Sequence, residues 1–109
     1  MNKEEYMEFL KSLLVKIENA INLLNQPAPK HIPSYRKMLG VQQKMSELPM
    51  EYRNNLFSQL ICVRRTLNYF LNGRYEEAYL NIIKLKKDLV KIYMGLKNER
   101  DTDIEIQKD

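Results

Sequence analysis

A chain of 109 residues, with 44% apolar and 29% charged side chains, has room for one domain around one core and keeps a wet exterior. A single cysteine rules out an internal disulfide, no run of about 18 apolar residues is present to span a bilayer, and nothing reads like a sheet protein with frequent turns. The net charge of +4 is uneven: from Glu99 onward Arg100 and Lys108 stand against Glu99, Asp101, Asp103, Glu105 and Asp109, so a basic body carries a short acidic tail.

The chain opens Met1-Asn2-Lys3-Glu4-Glu5, acidic where a signal peptide would be basic. With no disulfide framework, the expected address is cytoplasmic, or at least intracellular with the nucleus included. Tyr6, Phe9, Leu10, Leu13, Leu14, Ile17, Ala20, Ile21 and Leu24 recur at steps of three and four, which predicts a first amphipathic helix. Pro27, Pro29 and Pro33 then predict a stiff crossover through His31 and Ile32, because each proline lacks a donor and restrains its predecessor. Ser34 is the expected N-cap of a shorter second helix, with Tyr35, Met38, Leu39, Val41 and Met45 facing inward and Pro49 closing it.

A third helix is predicted over 51–71. At 100° per residue, Tyr52, Leu56, Phe57, Leu60, Ile61, Val63, Leu67 and Leu71 spread over about half its circumference, which suits a helix with neighbours on two sides. Asn72-Gly73 supplies a left-handed stop. A fourth helix opens at Arg74 or Tyr75 with a seam of Ala78, Ile82, Leu85, Leu89, Ile92 and Leu96, broadened by Tyr79, Ile83, Val90 and Tyr93. Its apolar pattern fades beyond Lys97. The expected fold is therefore all-α, an antiparallel four-helix bundle over residues 1–98 (five helices if the proline link holds a turn), with a frayed or disordered acidic tail over 99–109.

No metal, cofactor or catalytic group is expected. His31 is the only histidine and Cys62 is distant, so the usual zinc ligands cannot be assembled, and the Glu-x-x-His pairs of di-iron bundles are missing. Solvent exposure beside proline is the expected state of His31. Cys62, between Ile61 and Val63, reads as a buried structural thiol. Glu4-Glu5 and Glu76-Glu77 read as first-turn residues complementing helix dipoles, and no Gly-rich phosphate loop is present. The chain is read as non-enzymatic.

Seven tyrosines and six methionines are many for so small a bundle, and Tyr and Met surface left over from packing is good binding material. The expectation is a protein-interaction or assembly module that contacts its partner through Tyr75, Tyr79, Ile83, Val90 and Met94, and next through Phe57 and Ile61; a second copy of the chain is one candidate partner. The competing expectation is nucleic-acid binding by a basic face of Lys84, Lys87 and Lys91, extended by Arg64, Arg65 and Arg74 and by Arg36 and Lys37. The Lys- and Asn-rich composition also suggests a small microbial or viral regulatory protein that binds and inhibits a partner.

The stretch Tyr69-Phe70-Leu71-Asn72-Gly73-Arg74-Tyr75-Glu76-Glu77-Ala78 resembles the hairpin of a tetratricopeptide repeat, in which a Gly-containing turn precedes a helix whose early Ala allows close approach. Only one such unit is present, and repeat arrays need several to bury their faces. A wider resemblance covers most of the chain. The layout is similar to the helical domain shared by the C-terminal part of a vesicle-coat protein and the steroid receptor RNA activator protein. In that family an early amphipathic helix and a Pro-containing link lead to a helix pair joined by such a turn, closing with an aromatic, then Gly, an aliphatic and Lys. Gly95-Leu96-Lys97 matches, with Ile92 at the aromatic position and Tyr93 beside it, and Asn98-Glu99-Arg100-Asp101 replaces the apolar continuation. The resemblance implies a non-enzymatic scaffold in coat assembly or transcriptional co-regulation, and it transfers no active-site residues.

Overall fold

A computed structural model describes the backbone of residues 1–108 and the side chains of residues 1–102. The chain is all-α, with five helices and no strand among the described residues: α1 (Lys3–Leu24), α2 (His31–Ser46), α3 (Met50–Asn55), α4 (Phe57–Leu71) and α5 (Tyr75–Lys108). The four long helices close a ring in which α1 packs on α2 and α5, and α4 packs on α5 and α2. No described helix is long and apolar enough to cross a membrane.

α1 starts with a capping box. The Asn2 side chain accepts from the Glu5 N–H at 2.8 Å, and the Glu5 carboxylate accepts from the Asn2 N–H at 3.3 Å, satisfying two donors that the first turn would otherwise leave bare. Its seam of Leu10, Leu13, Ile17 and Ala20 is fully buried. α2 begins at His31, three residues before the cap expected at Ser34. Pro33 falls within the first turn, where its missing N–H has no partner to lose. Ser34 lies buried inside α2 instead, and its hydroxyl donates to the Ala20 carbonyl at 3.0 Å across the α1–α2 contact.

The helix expected over 51–71 is broken at Leu56, whose backbone (φ −109°, ψ 19°) ends α3 and caps α4. The fifth helix thus comes from this break, while the proline link stays without helix over 25–30. At the break Leu56 turns inward, to 1% exposure, while α3 itself buries no residue fully. The buried face of α4 is Leu60, Val63, Thr66, Leu67 and Phe70, and of the wide apolar face expected there Phe57 and Leu71 point to solvent.

α5 contributes Ala78, Ile82, Leu85 and Leu89, all fully buried, with Ile92, Tyr93 and Leu96 packed at the margin of the core. The helix continues beyond Lys97, so the acidic residues from Glu99 begin as its last turns. There Glu99 pairs with Lys3 at 2.9 Å and Arg100 pairs with Glu4 at 3.3 Å. The side chains of residues 103–109 lie outside those described.

Candidate functional site

Three helix ends meet at one end of the ring, hereafter the upper end: the start of α2, the end of α4 and the start of α5. α4 stops in a Schellman arrangement. Gly73 sits at φ +70°, its N–H donates to the Phe70 carbonyl at 3.1 Å, and the Arg74 N–H donates to the Tyr69 carbonyl at 2.8 Å. The Arg74 guanidinium lies over the Tyr69 ring at 5.0 Å and pairs with Glu77 at 3.3 Å. This turn aims Tyr75 at the first residue of α2. The His31 and Tyr75 rings stack at 3.7 Å, 7° from parallel.

His31 is therefore half-buried rather than solvent-exposed, because α2 starts early enough to carry its ring onto α5. Its Nδ1 is buried without a hydrogen-bond partner. Beside the stack opens a groove of about 360 Å³. Phe70 forms its floor, with Tyr35 edge-on at 5.9 Å. Ile32 and Leu71 stand on its rim at 65% and 68% exposure, with Leu39 and Tyr75 also exposed. Arg36 supplies the one cation of the lining. On the other side of the stack, a shallower recess of about 230 Å³ is bordered by Leu24, Pro29, Glu76 and Tyr79.

A separate depression of about 420 Å³ runs along the outer face of α5, with Ile83 and Val90 as its apolar floor and Lys86, Lys87 and Lys91 around it. Lys86 reaches Glu18 of α1 at 2.7 Å. Met94, one turn beyond Val90, is exposed and prolongs the stripe.

The contact residues read from the sequence thus fall into three places. Tyr75 and Tyr79 border the recesses at the upper end, while Ile83, Val90 and Met94 share the outer stripe of α5. Phe57 and Ile61 stand on the first turns of α4, with Phe57 exposed and Ile61 half-buried. Tyr79 and Ile83 are also half-buried against the core, so both have a packing role. Of the basic residues, Arg64, Arg65, Arg74, Lys84, Lys87 and Lys91 are all exposed. Lys84 and Arg65 lie near enough to Cys62 to act on its charge, as does the opposing Asp88, whereas Lys87 and Lys91 edge the α5 depression.

Cys62 is half-buried and its thiol donates to the Asn81 carbonyl at 3.5 Å. Burial pushes its pKa up, against the smaller opposing pull of Lys84, which keeps the thiol protonated and a poor nucleophile. Among the described residues, no group of three or more His, Cys, Asp and Glu side chains converges to hold a metal ion.

Ile32, Leu39 and Leu71 had no place among the contact residues expected from the sequence. Their signal was present but weak: Ile32 falls in what reads as a proline link, and Leu71 joins the wide apolar face of a helix taken as unbroken. No protein-family model, no curated protein and no solved structure matches the chain.

Proposed function

We propose that the chain is a non-enzymatic protein-interaction module whose principal contact is the groove at the upper end. The observation that carries this reading is the open aromatic floor there, with Ile32 and Leu71 each about two-thirds exposed on either side of it. Large apolar side chains held in water beside a recess gain about 1.5–3 kcal/mol each when a partner covers them. Association costs offset much of that gain, so the groove alone supports a modest affinity. Arg36 on the rim favours a partner segment that brings a carboxylate beside its apolar residues. A scaffold role in coat assembly or transcriptional co-regulation is the narrower form of this reading, supported only by the resemblance over Asn72–Ala78 and Gly95–Lys97.

The test is affinity capture from the native cell at moderate salt, with proteins and nucleic acids identified in the same eluate. Wild-type chain is expected to retain a defined protein set that the double variant Ile32→Asp/Leu71→Asp loses, with far-UV helicity unchanged. Retention should persist as ionic strength rises, since an apolar contact is little screened. Nucleic acid as the only captured species, lost steeply with added salt, would instead assign the exposed basic residues to phosphate contacts and end the protein-partner reading.

A further inference from the structure

We propose that the outer face of α5 is a second docking surface, independent of the upper groove, and that its occupant is an acidic amphipathic helix of a partner protein. The face combines two features that constrain its ligand together. Ile83 and Val90, two turns apart, make an apolar floor, and Lys86, Lys87 and Lys91 border it. A matching partner must lay apolar side chains on the floor while setting carboxylates to either side. A helix does both at once, because its residues three and four apart repeat every 5–6 Å along one face, about the rise between Lys87 and Lys91.

The lysines themselves favour carboxylates. Lys86 already holds one, from Glu18 at 2.7 Å, whereas Lys87 and Lys91 make no ion pair among the described residues. Both are exposed and lie within reach of an incoming chain.

Other polyanions fit less well. A phosphate backbone would bring charge over Ile83 and Val90, which it cannot use, and no aromatic ring lines the depression to stack a base. A lipid surface needs a broad apolar face to sink into the headgroup boundary. Here the exposed apolar residues Leu80, Val90 and Met94 are interleaved with the exposed Lys84, Lys87 and Lys91, and the opposite side of the same helix is locked in the core through Leu85 and Leu89.

The experiment measures fluorescence anisotropy of a labelled, end-blocked peptide of about 16 residues, long enough to form a helix on contact, with Leu at three- and four-residue spacing between Glu residues. A twin peptide carries Lys in place of Glu. The full chain is expected to bind the Glu peptide and not its twin. Lys87→Glu/Lys91→Glu should weaken the Glu peptide by about tenfold or more and create affinity for the Lys peptide. Val90→Asp should weaken the Glu peptide by a similar factor, while Ile32→Asp/Leu71→Asp should bind it as the parent does. Circular dichroism checks that each variant is folded, and the exchanged preference of the charge-reversed variant requires a folded face.

Equal binding of the two peptides, or binding that ignores both α5 variants, overturns the proposal. So does tighter binding of a single-stranded oligonucleotide, or of phosphatidylcholine vesicles with about a fifth phosphatidylserine, at the same face. A dimer seen by light scattering that the charge reversal dissolves would give the face to a second copy and also overturn it.

Discussion

The two ends of the bundle are built from the same kinds of residue but finish differently. At the lower end, the connection from α2 to α4 buries Leu48 and Leu56, which flank α3, and α3 itself adds the half-buried Tyr52, whose ring meets that of Tyr6 at 4.7 Å. Tyr52 donates from its hydroxyl to the Met1 carbonyl at 2.7 Å, and the Lys3–Glu99 and Glu4–Arg100 pairs hold α5 beside the start of α1. These pairs are exposed and serve register more than stability. At the upper end the connections are the proline link over 25–30 and the tight turn at Gly73, and neither carries a helix to lay over the core. A connector that turns apolar residues such as Leu48 and Leu56 inward closes a bundle end, whereas a stiff or minimal one leaves the apolar residues of the helix termini in water. The open end is where a partner has something to gain.

The sharpest way to break this contrast is to truncate a side chain that closes the lower end. Leu56→Ala deletes a fully buried side chain at the break between α3 and α4, and should cost about 3 kcal/mol in urea unfolding, with loss of the transfer and cavity contributions together. A cost below about 1 kcal/mol would mean that the α2–α4 connection does not close the lower end. At the open end the sensitive element is the backbone. Gly73→Ala puts a Cβ on a residue at φ +70° and should cost about 1 kcal/mol, although nothing lies within 4 Å of the added atom. The penalty is conformational, so a larger β-branched residue there should cost more, and Asn less.

The open rim should be nearly indifferent to polarity as far as folding is concerned. Ile32→Asp/Leu71→Asp should change unfolding free energy by less than about 0.5 kcal/mol, since neither side chain is buried. A large destabilisation would place both in the core and remove the groove from consideration.

The fold was legible in the sequence because α1 and α5 repeat their apolar residues locally. Leu10, Leu13 and Ile17, or Ile82, Leu85 and Leu89, need no distant information to declare a buried face. The break at Leu56 was hidden for the opposite reason. An apolar face spread over 51–71 looks the same on a helical wheel whether or not the chain turns within it, and only packing at the lower end, where Leu56 is buried, decides that it does. Pro33 misled in a similar way, since a proline ends a helix at one position and starts one a turn earlier. The upper groove was least legible. Ile32, Phe70, Leu71 and Tyr75 come from three helix ends that periodicity treats separately, and the His31–Tyr75 stack depends on where α2 begins. The α5 stripe of Ile83, Val90 and Met94, by contrast, lies on one helix and could be read directly.

Another small effect at neutral pH belongs to Tyr6, at the closed lower end, and it tests how dry that end is. Its hydroxyl is buried with no hydrogen-bond partner, so Tyr6→Phe removes an unsatisfied group and should shift stability near pH 7 by less than about 1 kcal/mol, in favour of Phe. Burial, with a smaller contribution from Tyr52, raises the folded-state phenol above its ordinary pKa of 10.0. Below that value the phenol is neutral in both the folded and unfolded chain, and its titration leaves the two proteins' stability difference flat. As pH rises past 10.0, the unfolded chain gives up the proton while the folded chain keeps it, so the folded state loses ground until its own phenol ionises. Wild type should therefore fall below Tyr6→Phe progressively in that alkaline window, in paired urea titrations that cancel the shared lysines and other tyrosines. Parallel curves through the window would mean that water reaches the Tyr6 hydroxyl, and that the lower end is less closed than the upper end's openness makes it look.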